Sequence, residues 1–179
     1  MPKKIVITGG PGSGKTTLIS FLKEQGHQCM PEISREVTLE AKKQGIDQLF
    51  LNDPILFSEK LLEGREKQFC DTENLKKTFL FFDRGLPDIT AYMDYSNTQY
   101  PNHFFEVCNT NRYDHIFLLP PWKEIYKQDN VRYETFNEAL EIHTYLLRGY
   151  EKYGYRVIEV PFGSLESRMK YIFNQLSDL

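Results

Sequence analysis

The chain is poor in cysteine. It has three, Cys29, Cys70 and Cys108, and no CxxC pair. An odd number without metal-ligand spacing argues against a disulfide framework or a zinc site. The simple expectation is reduced, buried thiols in a cytoplasmic protein. The four histidines, His27, His103, His115 and His143, show no metal-ligand spacing either. Long apolar runs are missing: Phe79 to Phe82 and Ile116 to Leu119 are the longest, and a spanning helix needs about 20 apolar residues. The N-terminus runs straight into a strand-like segment, which leaves no room for a signal peptide. A basic excess is missing too. The 22 Lys+Arg stand against 25 Asp+Glu, a net charge of −3, so no nucleic-acid partner is expected. Aromatic residues are scarce in the first 78 residues, which hold only Phe21, Phe50, Phe57 and Phe69, whereas all 11 tyrosines lie beyond them.

What is present fits one globular domain. The length of 179 residues is close to the roughly 150 expected per domain. A hydrophobic fraction of 40% with a mean hydropathy of −0.50 suits a folded chain. Residues 3–8 read as a strand, 9–14 as a glycine-rich loop, and 15–25 as a helix stopped by Gly26. A second strand is expected over 27–32, and Ser34 as the cap of a helix to about residue 44. Asp53-Pro54 begins a helix that runs to about Cys70. Residues 78–82 read as a strand buried on both faces, ending in Asp83. A helix over 87–95, an irregular helix over 103–109 and a strand over 115–119 follow. Over 135–153 the apolar stripe is expected to comprise Phe136, Ala139, Leu140, His143, Leu146, Leu147 and Tyr150, with His143 a satisfied core histidine. A last strand spans 156–160, and Ser164 caps a final helix whose apolar face carries Leu165, Met169, Ile172, Phe173 and Leu176. Alternating strands and helices predict a parallel sheet between helix layers.

Gly9, Gly10, Pro11, Gly12, Ser13, Gly14, Lys15 and Thr16 fit GxxxxGK[ST] at every fixed position. Successive amides of such a loop form an anion-binding nest, and the helix that follows adds its unpaired N-terminal amides. Lys15 would supply a full charge for the β- and γ-phosphates, and the Thr16 hydroxyl a ligand for Mg2+. Asp83, at the C-terminal end of a buried strand, lies where open α/β sheets bind ligands and would hold Mg2+, through water. Arg84 would reach the transferred or acceptor phosphate, or serve in a salt bridge. The chain contains no Asn-Lys-x-Asp for guanine recognition and no Leu-Ser-Gly-Gly-Gln signature of transport ATPases. It is also too short for the second helical domain of a AAA+ ring machine, so a small kinase-like domain remains.

Pro31-Glu32 resembles the Pro-Glu that supplies the general base in deoxynucleoside kinases. Asp83-Arg84 and Ala91-Tyr92 are similar to pairs in thymidylate kinases. A wider resemblance covers nearly the whole chain: Gly9 to Thr17, Pro31 to Arg35, Asp83 to Asp88, Pro120 to Tyr126, Asp129-x-x-Arg132, Gly154-Tyr155 and Val160-Pro161. Together these resemble the predicted-ATPase family of NadR-like P-loop proteins. That group is similar to the ribosylnicotinamide-kinase domain of NadR and to an insect P-loop protein linked to channel trafficking, and its members often carry the label AAA ATPase.

The resemblance implies a three-layer α/β/α P-loop NTPase of nucleotide-kinase type, with five mostly parallel strands in the order 2-3-1-4-5. It implies Glu32 as base and Asp83 as Mg2+ ligand or alternative base, with Arg35 and Arg84 toward the acceptor and Thr17 within the nucleotide-binding segment. A mobile lid is implied at about 120–134, where Lys123, Lys127 and above all Arg132 would close on the phosphates. Asp88 would bind an acceptor hydroxyl or cap its helix. Tyr92, Trp122, Tyr126 and Tyr133 would line the acceptor or base pocket. The expected function is a Mg2+- and ATP-dependent (GTP as the alternative) kinase for a small acceptor, such as a nucleoside or nucleotide. Two others compete: a slow ATPase or GTPase switch with a protein or lipid partner, motivated by the aromatic stretch from Tyr92 to Tyr113, and a complex subunit with a degenerate nucleotide site.

Overall fold

The central strands show no polar alternation because helices cover both faces of their sheet. The computed structural model describes residues 2–47, 49–72, 75–126 and 135–177. In it, β1 (Lys3–Thr8), β2 (Gln28–Met30), β3 (Phe79–Asp83), β4 (His115–Leu118) and β5 (Val157–Glu159) form one parallel sheet in the order β2-β3-β1-β4-β5. Ile7 pairs with Asp83, and Thr8 with Leu118. The glycine-rich loop and the carboxylate therefore leave the sheet at one level.

Side chains alternate between two cores. Ile5, Ile7, Phe81 and Phe117 meet α1 (Lys15–Glu24) and α8 (Leu165–Ser177) through Leu18, Ile19, Leu22, Ile172 and Leu176. On the opposite face Val6, Leu80, Phe82 and Ile116 meet α4 (Pro54–Asp71), α5 (Leu86–Tyr95), α6 (Asn102–Thr110) and α7 (Phe136–Lys152). The remaining helices, α2 (Ile33–Lys43) and α3 (Leu49–Asn52), lie along α4. This is the three-layer arrangement and strand order expected. No helix of the described residues is long and apolar enough to cross a membrane.

Several local expectations change. Ser34 does not cap α2: Glu32 occupies the N-cap with extended backbone and makes no side-chain cap bond, which leaves its carboxylate free for other partners. Asp53 does cap α4, accepting from Leu56 N–H at 2.9 Å, and Ser164 caps α8 through Ser167 N–H at 3.2 Å. The stripe of α7 is rotated from the one expected. Leu140 is 44% exposed, while Ile142 and Gly149 are buried. The cause is close packing on α5, because a Cβ on Gly149 would meet that of Ala91 at 2.6 Å. His143 bonds Glu159 at 2.6 Å, but its Nδ1 is buried without a partner among the described residues. Cys29 and Cys108 are buried as expected, and burial raises their thiols to about 11 and about 12; Cys70 is exposed. The segment from Tyr92 to Tyr113 is more helical than expected: it holds the end of α5 and all of α6, joined by a non-helical link over 96–101, and packs through Phe104, Cys108 and Tyr113.

Candidate functional site

The loop between β1 and α1 is shaped by glycine where backbone must come close. Gly12 and Gly14 have φ of 70° and 76°, conformations that L side chains avoid. A Cβ on Gly12 would also sit 2.2 Å from the Tyr126 ring. Gly14 is the N-cap of α1 and offers no side chain to cap it, so the first-turn amides stay available to an anion. The Ser13 hydroxyl donates to the Gly10 carbonyl at 2.8 Å and braces the turn. The cavity over this loop has a volume of about 500 Å3 and is lined by residues from Gly10 to Thr17 together with Glu32, Ser34, Arg84 and Tyr92.

Lys15 Nζ donates to Asp83 Oδ1, and both groups are buried. Burial first, then Arg84, lowers the Lys15 pKa against the raising effect of Asp83 and Glu32. A buried pair of this kind is held by mutual compensation, so an incoming polyphosphate can replace Asp83 as the lysine's partner. Thr16 is exposed at the loop's edge. Among the described residues no three His, Cys, Asp or Glu side chains cluster to hold a metal. Thr16 and Asp83 supply two hard oxygens, a donor set that fits Mg2+, which takes few protein ligands and relies on phosphates and water.

Glu32 and Arg84 face each other at the loop's far side. Arg84 Nε donates to Glu32 Oε1 at 3.1 Å, and Nη1 to Asp88 Oδ1 at 3.3 Å. Its guanidinium lies 5.3 Å from the Tyr92 ring centroid. Burial opposes the charge on Arg84, but Tyr92, Asp88, Glu32 and Asp83 outweigh it, so its pKa stands well above the ordinary value. Burial likewise opposes the charge on Glu32, yet Arg84, Lys15 and a Ser34 hydrogen bond hold its pKa down at about 2. Arg84 itself has φ 72°, which costs a non-glycine residue roughly 1–2 kcal/mol.

Behind this pair opens a second cavity of about 330 Å3. Phe50, Phe57, Leu61, Ile89 and Met93 make it largely apolar, and Glu32, Arg65, Arg84 and Asp88 give it one polar end. Glu32, Ser34, Arg84 and Tyr92 line both cavities. A third, also of about 330 Å3, lies on the other side of the loop, against Gly12, Gly14, Thr17, Trp122, Ile125 and Arg168. There the Trp122 ring stacks on Phe162 at 5.2 Å, and the Trp122 backbone N–H donates to the Gly12 carbonyl at 3.0 Å.

The structure thus brings Lys15, Glu32, Asp83, Arg84 and Tyr92 to one place. Asp88 is nearby, but its carboxylate accepts from Thr8, Arg84, the Gly85 N–H and Tyr150, and it is 1% exposed. Of its two expected roles, the helix cap is present in its bond from the Gly85 N–H, and the residue also lines the apolar cavity. Arg35 lies at the margin of the site: its side chain is 71% exposed and pairs with Glu32 at 3.6 Å, but lines neither cavity. Lys123 is exposed. Lys127, Arg132 and Tyr133 lie outside the described residues. Tyr126 packs edge-on to Phe136 beside the phosphate loop.

Two buried cations beside the site, Arg65 and Arg168, were not expected from the sequence. Both are at least 97% buried, at 3% and 2% exposure. Arg168 Nη2 donates to the Ser13 carbonyl at 3.1 Å, and Arg65 Nη1 to the Gly85 carbonyl at 2.7 Å. The signal was available. Arg65 lies four residues from Leu61 and from Phe69, and Arg168 four residues before Ile172, so each puts a cation on an apolar helical stripe.

Residues 4–168 match the AAA domain family. No curated protein matches the chain. Among solved structures, deoxyadenosine kinase from M. mycoides with products dCMP and a flexible dCDP bound aligns at TM-score 0.68 and 18% identity, over 98% of this chain and 100% of its own. The same kinase with bound dATP aligns at 0.61 and 17%, over 97% and 99%. NadR protein in complex with NR aligns at 0.70 and 17%, over 99% of this chain and 50% of its own. At such identities the likeness is one of fold, the P-loop kinase fold.

Proposed function

The chain belongs to the AAA domain family and has the P-loop kinase fold, and from that premise we propose that it transfers the γ-phosphoryl group of ATP to a hydroxyl of a small acceptor such as a nucleoside or nucleotide. One observation carries the proposal. The phosphate-loop cavity and the apolar cavity behind it share Glu32, Ser34, Arg84 and Tyr92. A transferase needs donor and acceptor sites that meet, whereas a hydrolase or switch needs only the first.

In this reading the glycine-loop amides and the first turn of α1 bind the β- and γ-phosphates, and Lys15 leaves Asp83 for them. The nucleotide's base occupies the cavity beside Trp122 and Arg168, with Thr17 at its edge. Thr16 and Asp83 would hold Mg2+, whose charge would help to neutralise the phosphates. The acceptor hydroxyl lies at the junction against Glu32. Its oxygen bonds to the γ-phosphorus, the bond to the β–γ bridging oxygen breaks, and the proton passes to Glu32. A carboxylate held at about 2 is a weak base, but a loose phosphoryl-transfer transition state asks little of one. Arg84 stabilises the charge spread over the equatorial oxygens. Residues 120–134 would close over the phosphates, Arg132 with them, and exclude water.

The test is incubation with Mg-ATP and a panel of nucleosides and nucleotides, with product separation. A phosphorylated acceptor is expected. ATP hydrolysis with no phosphorylated product in the whole panel would overturn the proposal.

A further inference from the structure

The turn that carries Arg84 is gripped from every side. A bulky residue keeps a left-handed φ, here 72°, only where its surroundings over-determine it. The Arg84 N–H donates to the Ile7 carbonyl of β1 at 3.1 Å. The Gly85 carbonyl accepts from Arg65 of α4 at 2.7 Å, and the Gly85 N–H donates to Asp88 of α5 at 2.8 Å. The Leu86 N–H donates to the Tyr113 hydroxyl at 3.3 Å. Arg65 spends a buried guanidinium on one carbonyl, and its Nε has no partner among the described residues.

Asp88 is the hub of this grip. Its Oδ1 accepts from Thr8 and Arg84, and its Oδ2 from Gly85 N–H and the hydroxyl of Tyr150. Tyr150 comes from α7, 62 residues away in sequence, and is fully buried. Burial first, and then the Asp88 carboxylate, push its pKa well above the ordinary value, so it stays a donor. Gly85 makes room for it, since a Cβ there would lie 2.7 Å from the Tyr150 oxygen. With φ −117° Gly85 has a backbone any residue adopts. The glycine is needed for space and not for conformational freedom.

We propose that Tyr150 is a positioning residue for phosphoryl transfer: by holding Asp88 Oδ2 it orients the other carboxylate oxygen toward Arg84, and so aims the guanidinium at the junction of the donor and acceptor cavities. The inference rests on the phosphotransferase reading above. Without the hydroxyl, Asp88 Oδ2 keeps only the Gly85 N–H, and the hold on the carboxylate that anchors Arg84 loosens.

The test is Tyr150→Phe in the full chain, with two readouts. The first is the solvent exchange of the Arg84 Nε–H in nitrogen-15 NMR, assigned by its loss in Arg84→Lys. Exchange is slow in the parent, where this group donates to Glu32, and becomes at least about tenfold faster in Tyr150→Phe, as expected when a network partner is removed. The second is steady-state transfer: kcat falls about 10- to 100-fold, the size of an ångström-scale misplacement, with the KM for ATP unchanged. Gly85→Ala, whose methyl would meet the same hydroxyl at 2.7 Å and also press on Val6 and Tyr113 at 3.0 and 3.1 Å, reproduces both effects. Unchanged Arg84 exchange and kcat in Tyr150→Phe would overturn the proposal. So would a general loss of arginine protection together with weaker Mg-ATP binding and a lower melting temperature, which would assign Tyr150 to stability alone. If the parent protein phosphorylates no acceptor, the phosphotransferase reading falls, and the exchange measurement still decides whether Tyr150 holds Arg84.

Discussion

Lys15 and Glu32 are each half of a buried or half-buried ion pair, Lys15 with Asp83 and Glu32 with Arg84. Lys15 is buried against Asp83, and burial lowers its pKa against the raising effect of that carboxylate; in the proposed reaction a triphosphate takes the place of Asp83. Lys15→Ala should weaken Mg-ATP binding by about 10- to 100-fold, the loss of one charge-assisted hydrogen bond, and calorimetry that finds the affinity unchanged would refute the phosphate cradle. Glu32 is held in the opposite sense. Its pKa is depressed from 4.5 to about 2, chiefly by Arg84 against the cost of burial. A depressed carboxylate stabilises the fold above its unfolded pKa, and that contribution is lost as pH falls through the folded one. Between pH 4.5 and about 2 the protein should therefore lose roughly 3 kcal/mol from this group. Glu32→Gln should flatten that part of the acid-unfolding curve; an unaltered slope would mean the Arg84 pair contributes nothing. The same substitution should reduce kcat by at least about 100-fold if Glu32 takes the acceptor proton.

Among the elements, the contact between α5 and α7 places the most chemistry. The two helices approach closely at Gly149 and Ala91, and this sets the depth at which Tyr150 enters the site. Gly149→Ala should wedge them apart and destabilise the protein by about 1–3 kcal/mol. A melting scan would read this as a fall of roughly 2–4 °C per kcal/mol in a chain of this size, and no fall would show that the helices tolerate the extra methyl. The expected α7 stripe was partly right, with Ala139, Leu146 and Tyr150 buried, and wrong at Leu140. Helical periodicity identifies which residues share a face. It does not say how far that face is rotated when a glycine lets a neighbour come close.

The whole molecule presents a phosphate cradle flanked by a cavity on either side. Ligands that bind the native state alone raise its melting temperature by mass action, worth about 2.7 kcal/mol at 100 times the dissociation constant. Mg-ATP should give one such shift and a true acceptor a second, additive one; an acceptor that shifts nothing in the presence of a non-hydrolysable ATP analogue is not the substrate. The sequence by itself determined the phosphate loop, the carboxylate ending β3 and the parallel sheet. Each of these is local: consecutive residues form the cradle, and an apolar run without alternation marks a strand covered on both faces. Asp83 and Arg84 were legible for the same reason. Glu32 was legible only by resemblance, because one carboxylate after a proline carries no chemistry of its own. Only the tertiary structure decided that Asp88 is enclosed and Arg35 outside, that Arg65 and Arg168 are buried beside the site, and that Tyr150 reaches Asp88. Those outcomes depend on helix rotations and approach distances among segments far apart in the chain, set by close packing of the whole and not by any stretch of sequence.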